Sequence, residues 1–75
     1  MVRFVNRIPV LVSEKEVRDG RRYKQQEIAI GSGLSESMIS RLMREPEIAG
    51  INYATARVIA RWLGVSTDAL AVEEE

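Results

Sequence analysis

The chain contains no cysteine and no histidine. These absences exclude disulfides, thiolate chemistry, zinc sites built on sulfur or imidazole ligands, and Cys-His or Ser-His-Asp catalytic groups. An enzyme would therefore need a Ser-Lys or paired-carboxylate site, and the sequence arranges neither around a plausible pocket. We expect no enzymatic activity, no cofactor and no metal.

Long apolar runs are also missing, because no stretch approaches the ~20 apolar residues that span a membrane. Near the N-terminus, Arg3, Asn6 and Arg7 interrupt the apolar residues, which is unlike a signal peptide. We expect a cytoplasmic protein without membrane contact.

Net charge is the third absence, since 11 Lys or Arg balance 11 Asp or Glu. A zero total argues against a strongly basic nucleic-acid binder. The charges are nevertheless segregated along the chain. Residues 1–46 hold nine basic and six acidic residues, a net +3, whereas residues 47–75 carry −3. Such a dipolar molecule can be steered to a polyanion, although its affinity for any phosphate backbone should be modest.

The composition of the chain predicts one small folded domain, residues 1–75. The chain has a mass of 8.5 kDa, with 45% hydrophobic and 29% charged residues, which is typical of globular proteins. Residues 1–6 are predicted to form an N-terminal arm, and residues 72–75 an acidic tail. A single core of this size rarely supplies more than about 3–5 kcal/mol. Tight helix packing or a second subunit must therefore contribute.

Apolar spacing and turn residues predict an all-α, compact bundle of five short helices. The predicted spans are 9–18, 25–32, 36–44, 54–63 and 67–71, preceded by a short strand or arm over residues 1–5. In the fourth helix, Val58, Ile59, Trp62 and Leu63 are predicted to share one face. Trp62 and Tyr53 are predicted to be core residues rather than stacking platforms for a base.

The second and third helices carry the most specific pattern. A small residue, Ala29, lies where the two helices would cross closely, and Gly33 lies where the turn needs a positive φ. A wedge of apolar side chains would fix the angle between the helices: Ile28, Leu34, Ile39 and Leu42. This spacing predicts a helix-turn-helix whose second helix projects outward.

Four segments resemble the lambda-repressor/Cro-like helix-turn-helix family: Gln25–Ala29, Gly33–Ser35, Ile39–Leu42 and Thr55–Leu70. The resemblance extends over residues 7–71, and two motifs in the right order are more specific than either alone. It implies sequence-specific binding to double-stranded DNA by a small, repressor-like regulator of transcription. One such module buries little surface on DNA, so we expect a homodimer on a two-fold operator with half-sites about 34–36 Å apart.

The resemblance also implies a role for each site residue. The outward face of the third helix would reach base edges with Glu36, Ser37, Ser40 and Arg41. Arg41 would bind a guanine in a bidentate manner, and Glu36 would accept from a cytosine amino group. Five residues would bind phosphates: Gln25, Arg22, Lys24, Arg44 and Asn52. The sequence departs from the family at Lys24, where a Ser or Thr cap is usual, and at the acidic Glu36.

Several alternatives remain open at this point. Arg41 can instead pair with Glu45 one helical turn later, and Glu36 can simply complement the helix dipole. The basic loop around Arg21 can be an ordinary solvated surface. The dimer surface can be residues 65–72, or the arm over residues 1–5 paired with its mate or with residues 50–53. A second function class is a protein-interaction module, such as an antitoxin that masks a protein partner.

Overall fold

The computed structural model describes residues 3–48 and 51–74. Within these ranges the elements are β1 (Arg3–Asn6), α1 (Ile8–Asp19), α2 (Gln25–Ser32), α3 (Glu36–Arg44), α4 (Tyr53–Leu63), a 3-10 turn (Thr67–Leu70) and β2 (Ala71–Glu74). The helical prediction is confirmed for α1 to α4, with ends that differ by one residue at most. The fifth predicted helix is a single 3-10 turn.

The short N-terminal strand is present as β1, but the otherwise all-α prediction is wrong at the C-terminal end, where β2 was not predicted. β1 and β2 form an antiparallel two-stranded sheet in the register Arg3↔Glu74, Phe4↔Glu73, Val5↔Val72 and Asn6↔Ala71. The acidic tail is therefore a strand, and the arm pairs within its own chain rather than with residues 50–53. Residues 1, 2 and 75 of the arm and tail, and residue 50, lie outside the described residues. Four acidic-rich residues carry no clear alternation, so the pairing depends on a contact between distant segments.

The core lies between the four helices and the 3-10 turn. α1 contributes Ile8, Leu11 and Val12, as its apolar stripe predicts. The other fully buried apolar side chains come from every later helix and from the turn: Ile28, Ala29, Ile39, Leu42, Ala56, Ile59, Ala60, Leu63 and Leu70. These side chains fix α2 and α3 against the rest of the domain.

Two apolar residues of α4 were placed wrongly. The buried face follows Ala56, Ile59, Ala60 and Leu63, a helical i, i+3, i+4, i+7 pattern. That face turns Val58 outward, where it is 37% exposed. Tyr53 is 69% exposed because it is the first residue of α4 and precedes the buried face. Trp62 does pack against the core, as predicted.

Candidate nucleic-acid interface

α2 and α3 form the predicted helix-turn-helix. Gly33 ends α2 with a φ of 82°, and its N–H donates to the Ala29 carbonyl at 2.9 Å. Ser35 begins α3, where its hydroxyl accepts from the Met38 N–H at 3.2 Å. Ile39 is 1% exposed and Ala29 is 7% exposed, so the two helices cross closely at a dry contact. The glycine, the small residue and the serine cap all have the roles that the sequence predicts.

The start of α2 has a feature that the sequence reasoning missed. The Lys24 side chain supplies no cap, but the Glu27 carboxylate accepts from the Lys24 backbone N–H at 2.9 Å. Glu27 also pairs with Arg21. The Lys24 N–H, followed by the charge of Arg21, lowers the pKa of Glu27 below its usual range. Glu27 therefore satisfies the N–H of Lys24, the other half of a capping box, while the cap that a serine or threonine side chain would supply is absent. The Lys24 ammonium is exposed.

The basic residues divide into those with and those without an ion pair to a described carboxylate; outside the region of the motif, Arg3 is paired and Arg7, Arg57 and Arg61 are not. Lys15, Arg18 and Arg21 lie within 4 Å of a carboxylate, and Arg18 also donates to the Leu63 carbonyl. The cations predicted to contact DNA are all exposed, and no carboxylate of the described residues lies within 4 Å of them: Arg22, Lys24, Arg41 and Arg44. The ion-pair alternative for Arg41 is therefore absent, because Glu45 does not reach it. Only part of the basic loop is an ordinary neutralised surface.

The four predicted base-contacting residues lie on α3 but are not equally accessible. Glu36, Ser37 and Arg41 are exposed, whereas Ser40 is half-buried. The Ser37 hydroxyl lies 3.3 Å from the capping hydroxyl of Ser35. Arg41 is therefore the longest accessible side chain in this set. Gln25, the first residue of α2, is also exposed.

A groove of about 520 Å³ runs beside the C-terminal half of α3. Arg41 and Asn52 are among the residues that line it, together with the apolar Met38, Leu42 and Ile51. The side-chain oxygen Oδ1 of Asn52 accepts from the Ala54 N–H at 2.8 Å and so caps the start of α4. Its amide nitrogen has no partner among the described residues, which leaves a donor available beside Arg41.

Asn6 is the functional candidate that sequence reasoning missed altogether. It is the one buried polar residue of the described part of the chain, 9% exposed. Its amide nitrogen donates to the carbonyls of Leu42 and Glu45, at 2.6 and 2.8 Å. Its oxygen accepts from the Ile8 N–H at 2.9 Å. Asn6 therefore ties the end of α3 to the start of α1, and no local pattern in the sequence signals this contact.

An aromatic cluster supports the back of α2. The Tyr23 and Trp62 rings meet edge to face with centroids 5.1 Å apart, and the Lys15 ammonium lies 4.9 Å from the Trp62 centroid. A Cβ on Gly31 would lie 2.4 Å from the Trp62 ring nitrogen, so α2 approaches this ring closely. The hydrogen bond between Tyr23 and Asp19 lowers the pKa of Asp19 and raises that of Tyr23. These rings are occupied by their own neighbours and are not free to stack on a base.

The described ranges contain neither a metal-binding cluster nor a membrane-spanning helix. No group of three or more acidic side chains is arranged to hold a metal ion there. None of the described helices is both long enough and apolar enough to cross a membrane.

Comparison with known proteins adds one result. No protein-family model and no curated protein matches this chain. The structure is similar to the crystal structure of an arginine-to-alanine mutant of the restriction-modification controller protein C.Esp1396I. The TM-score is 0.57 with 20% sequence identity, over 88% of this chain and 83% of that chain. At this identity the similarity supports the fold, a compact helix-turn-helix domain, and leaves the function to be argued from the site.

Proposed function

We propose that this chain binds double-stranded DNA in a sequence-specific manner through α2 and α3, as a small, repressor-like regulator of transcription of the lambda-repressor/Cro-like kind. The observation that carries the proposal is the set of exposed cations without ion pairs that borders the helix-turn-helix. The structurally similar controller protein is consistent with a regulatory role.

The base contacts are assigned to the outward face of α3. Arg41 is exposed and unpaired among the described residues, which suits a bidentate contact to guanine O6 and N7. Glu36 is assigned to a cytosine amino group, and Ser37 and Ser40 to less discriminating contacts. Because Ser40 is half-buried and Ser37 lies against the Ser35 hydroxyl, Arg41 carries most of the specificity.

The phosphate contacts are assigned to the two flanks of the motif. Arg22, Lys24 and Gln25 lie before and at the start of α2, where free helix N–H groups favour an anion. Arg44 and Asn52 lie at the other flank. Three phosphate-bound cations per subunit, six per dimer, give a slope of about −5 for log K against log salt. This slope is smaller than that of a strongly basic protein, which agrees with the zero net charge.

The free edge of β2 supports the homodimer. The backbone groups of Phe4 and Asn6 form hydrogen bonds with the 46–48 segment; for example, the Ile48 N–H donates to the Phe4 carbonyl at 2.9 Å. Because strand residues alternate, Val72 and Glu74 bond to β1. The N–H and C=O groups of Ala71 and Glu73 therefore lie on the outer edge without a partner among the described residues, and they can pair with another strand.

Two copies of this edge are complementary in one register. Antiparallel pairing about Val72 places Ala71 of each copy opposite Glu73 of the other, so the unpaired backbone groups exchange four hydrogen bonds. The Val72 side chains, 44% exposed in one chain, then face one another. If the pairing were instead centred on Glu73, the Glu73 carboxylates of the two copies would lie opposite each other, which is unfavourable. We assign this edge to the dimer; it overlaps the predicted 65–72 surface only at Ala71 and Val72 and is a strand rather than a helix.

The experiment is selection of bound duplexes from a random double-stranded library by the whole chain. We expect enrichment of a two-fold sequence with half-sites about 10 base pairs apart. Arg61→Ala is the matched control, because Arg61 is also exposed but lies on α4 away from the motif, and it should enrich the same sequence. A library that returns no enriched sequence would favour the protein-interaction class instead.

A further inference from the structure

The C-terminal end of α3 differs from the ends of the other helices. α1, α2 and α4 each end at a glycine in the left-handed region: Gly20, Gly33 and Gly64. α3 instead ends at Glu45, whose backbone is extended with a φ of −69° and a ψ of 127°. The last carbonyls of a helix need partners from outside its own ladder, and here no glycine turn folds the backbone N–H groups back onto them.

Asn6, from a distant part of the chain, supplies a partner for the Leu42 carbonyl of α3 and for the carbonyl of the next residue after the helix. Both hydrogens of its amide are used, one on the Leu42 carbonyl and one on the Glu45 carbonyl. Its backbone N–H donates to the Pro46 carbonyl at 3.1 Å, immediately after α3. Its oxygen is held by the Ile8 N–H. The side chain is thus fixed at one end by α1 and at the other by the final turn of α3.

The chemistry at this position is specific to asparagine. An aspartate keeps the oxygen for Ile8 but, when ionised, has no hydrogen to donate to the two carbonyls. A serine has one hydroxyl hydrogen on a shorter side chain. Neither replaces two simultaneous donors at 2.6 and 2.8 Å.

We propose that Asn6 is a positioning residue for DNA recognition: it holds the last turn of α3, and with it Arg41 and Arg44, in the orientation that contacts DNA. The N-terminal end of α3 is fixed by the Ser35 cap and by buried Ile39. Asn6 fixes the opposite end, so the direction of the helix axis depends on both. Since Asn6 also pairs with Ala71 in the sheet, it joins the β1–β2 sheet to the last turn of α3. The role in DNA recognition rests on the proposed function.

The test compares Asn6→Asp and Asn6→Ser with Gly64→Ala in the whole chain. Gly64 has a φ of 76° at the far end of α4, and an added Cβ there comes near only the Arg18 guanidinium, at 3.9 Å. An alanine at this position lowers stability by backbone strain without touching α3. Circular dichroism first defines a temperature at which all the variants are fully folded.

The first readout is amide hydrogen exchange, which needs no DNA. We expect the amides of the last turn of α3, residues 42–45, to exchange at least tenfold faster in both Asn6 variants, relative to the Ile59 amide in the same sample. Gly64→Ala should change the exchange rates of residues 42–45 and of the Ile59 amide by the same factor. Equal rates in all the variants, or loss of folding in both Asn6 variants, would overturn the positioning role.

The second readout is the dissociation constant for the duplex that the wild-type chain selects from a random library. We expect the Asn6 variants to bind about tenfold more weakly, the size of one lost base contact, while Gly64→Ala binds as the wild type does. Equal affinity for all the variants would overturn the recognition role. If the wild-type chain selects no duplex, the proposed function fails, and the exchange rates alone decide whether Asn6 holds α3.

Discussion

Replacing either Arg41 or Arg44 with alanine removes one positive charge from the exposed last turn of α3. The two replacements are nevertheless predicted to weaken DNA binding in different ways. Neither guanidinium lies within 4 Å of a carboxylate of the described residues. Folding stability should therefore change by less than about 0.5 kcal/mol in either variant. Any larger loss of DNA affinity then reports a contact with DNA.

The size of the loss follows from the kind of contact. A bidentate contact to guanine contributes about 1–3 kcal/mol of discrimination, so Arg41→Ala should weaken selected-duplex binding by about fivefold to 150-fold per half-site. Binding to a scrambled duplex should change little. A phosphate contact carries no sequence information, so Arg44→Ala should weaken both duplexes by a similar factor. It should also reduce the salt slope by about 1 per subunit.

The assay is fluorescence anisotropy with the selected and the scrambled duplex, each at several salt concentrations. The informative quantity is the ratio of the two dissociation constants, because it separates base reading from phosphate binding. If Arg41→Ala lowers both affinities equally, Arg41 contacts a phosphate and its base assignment is wrong. If Arg44→Ala lowers the ratio instead, the roles of the two arginines are exchanged.

Three further outcomes are expected. Gly31→Ala should destabilise the fold by about 1 kcal/mol, because overpacking against Trp62 outweighs the gain in helix propensity; the melting temperature and the emission of this single tryptophan check it, and an unchanged protein would contradict the close contact. The lowered pKa of Glu27 means that its stabilisation is complete above the unfolded pKa and is lost as the pH falls through the lower folded value. Glu27→Gln should therefore flatten part of the acid limb of a melting-temperature profile, whereas an identical profile would show that Glu27 does not contribute. Val72→Cys should form a disulfide-linked dimer under mild oxidation, because residues opposite each other in a non-hydrogen-bonded antiparallel pair have Cα atoms about 4.5 Å apart. The control is Val17→Cys on α1, which should not cross-link although Val17 is 84% exposed. Equal cross-linking of both variants would contradict the assignment of the β2 edge as the dimer interface.

Local signals in the sequence were sufficient to predict the helices and the helix-turn-helix. Gly33 needs a positive φ, Ser35 caps α3, and Ala29 permits a close crossing, and each of these requirements acts within a few residues. The apolar stripe of α1 likewise depends only on helical periodicity. These features were predicted with their correct positions because the physics that fixes them is local.

Features that join distant segments were missed or misplaced. The β1–β2 sheet pairs Arg3 with Glu74 across almost the whole chain, and neither strand has a strong pattern of its own. Nothing in the sequence around Asn6 indicates its role, because its partners Leu42 and Glu45 are far away along the chain. Lys24 lacks a side-chain cap, as expected, but the hydrogen bond from its backbone N–H to Glu27 was not predicted. The predicted DNA contacts of Arg22, Lys24, Arg41 and Arg44 stay a prediction, and only the structure shows that neighbouring Lys15, Arg18 and Arg21 are neutralised.

The most direct test of the DNA-reading role is a map of backbone amide chemical shifts as the selected duplex is added to the wild-type chain. We predict that the largest changes fall on residues 22–26 and 36–44, with smaller changes near Asn52. The C-terminal half of α4, around Arg61, should change little. Changes centred on Arg57 and Arg61 with α3 unaffected would contradict the assignment of α3 as the recognition helix.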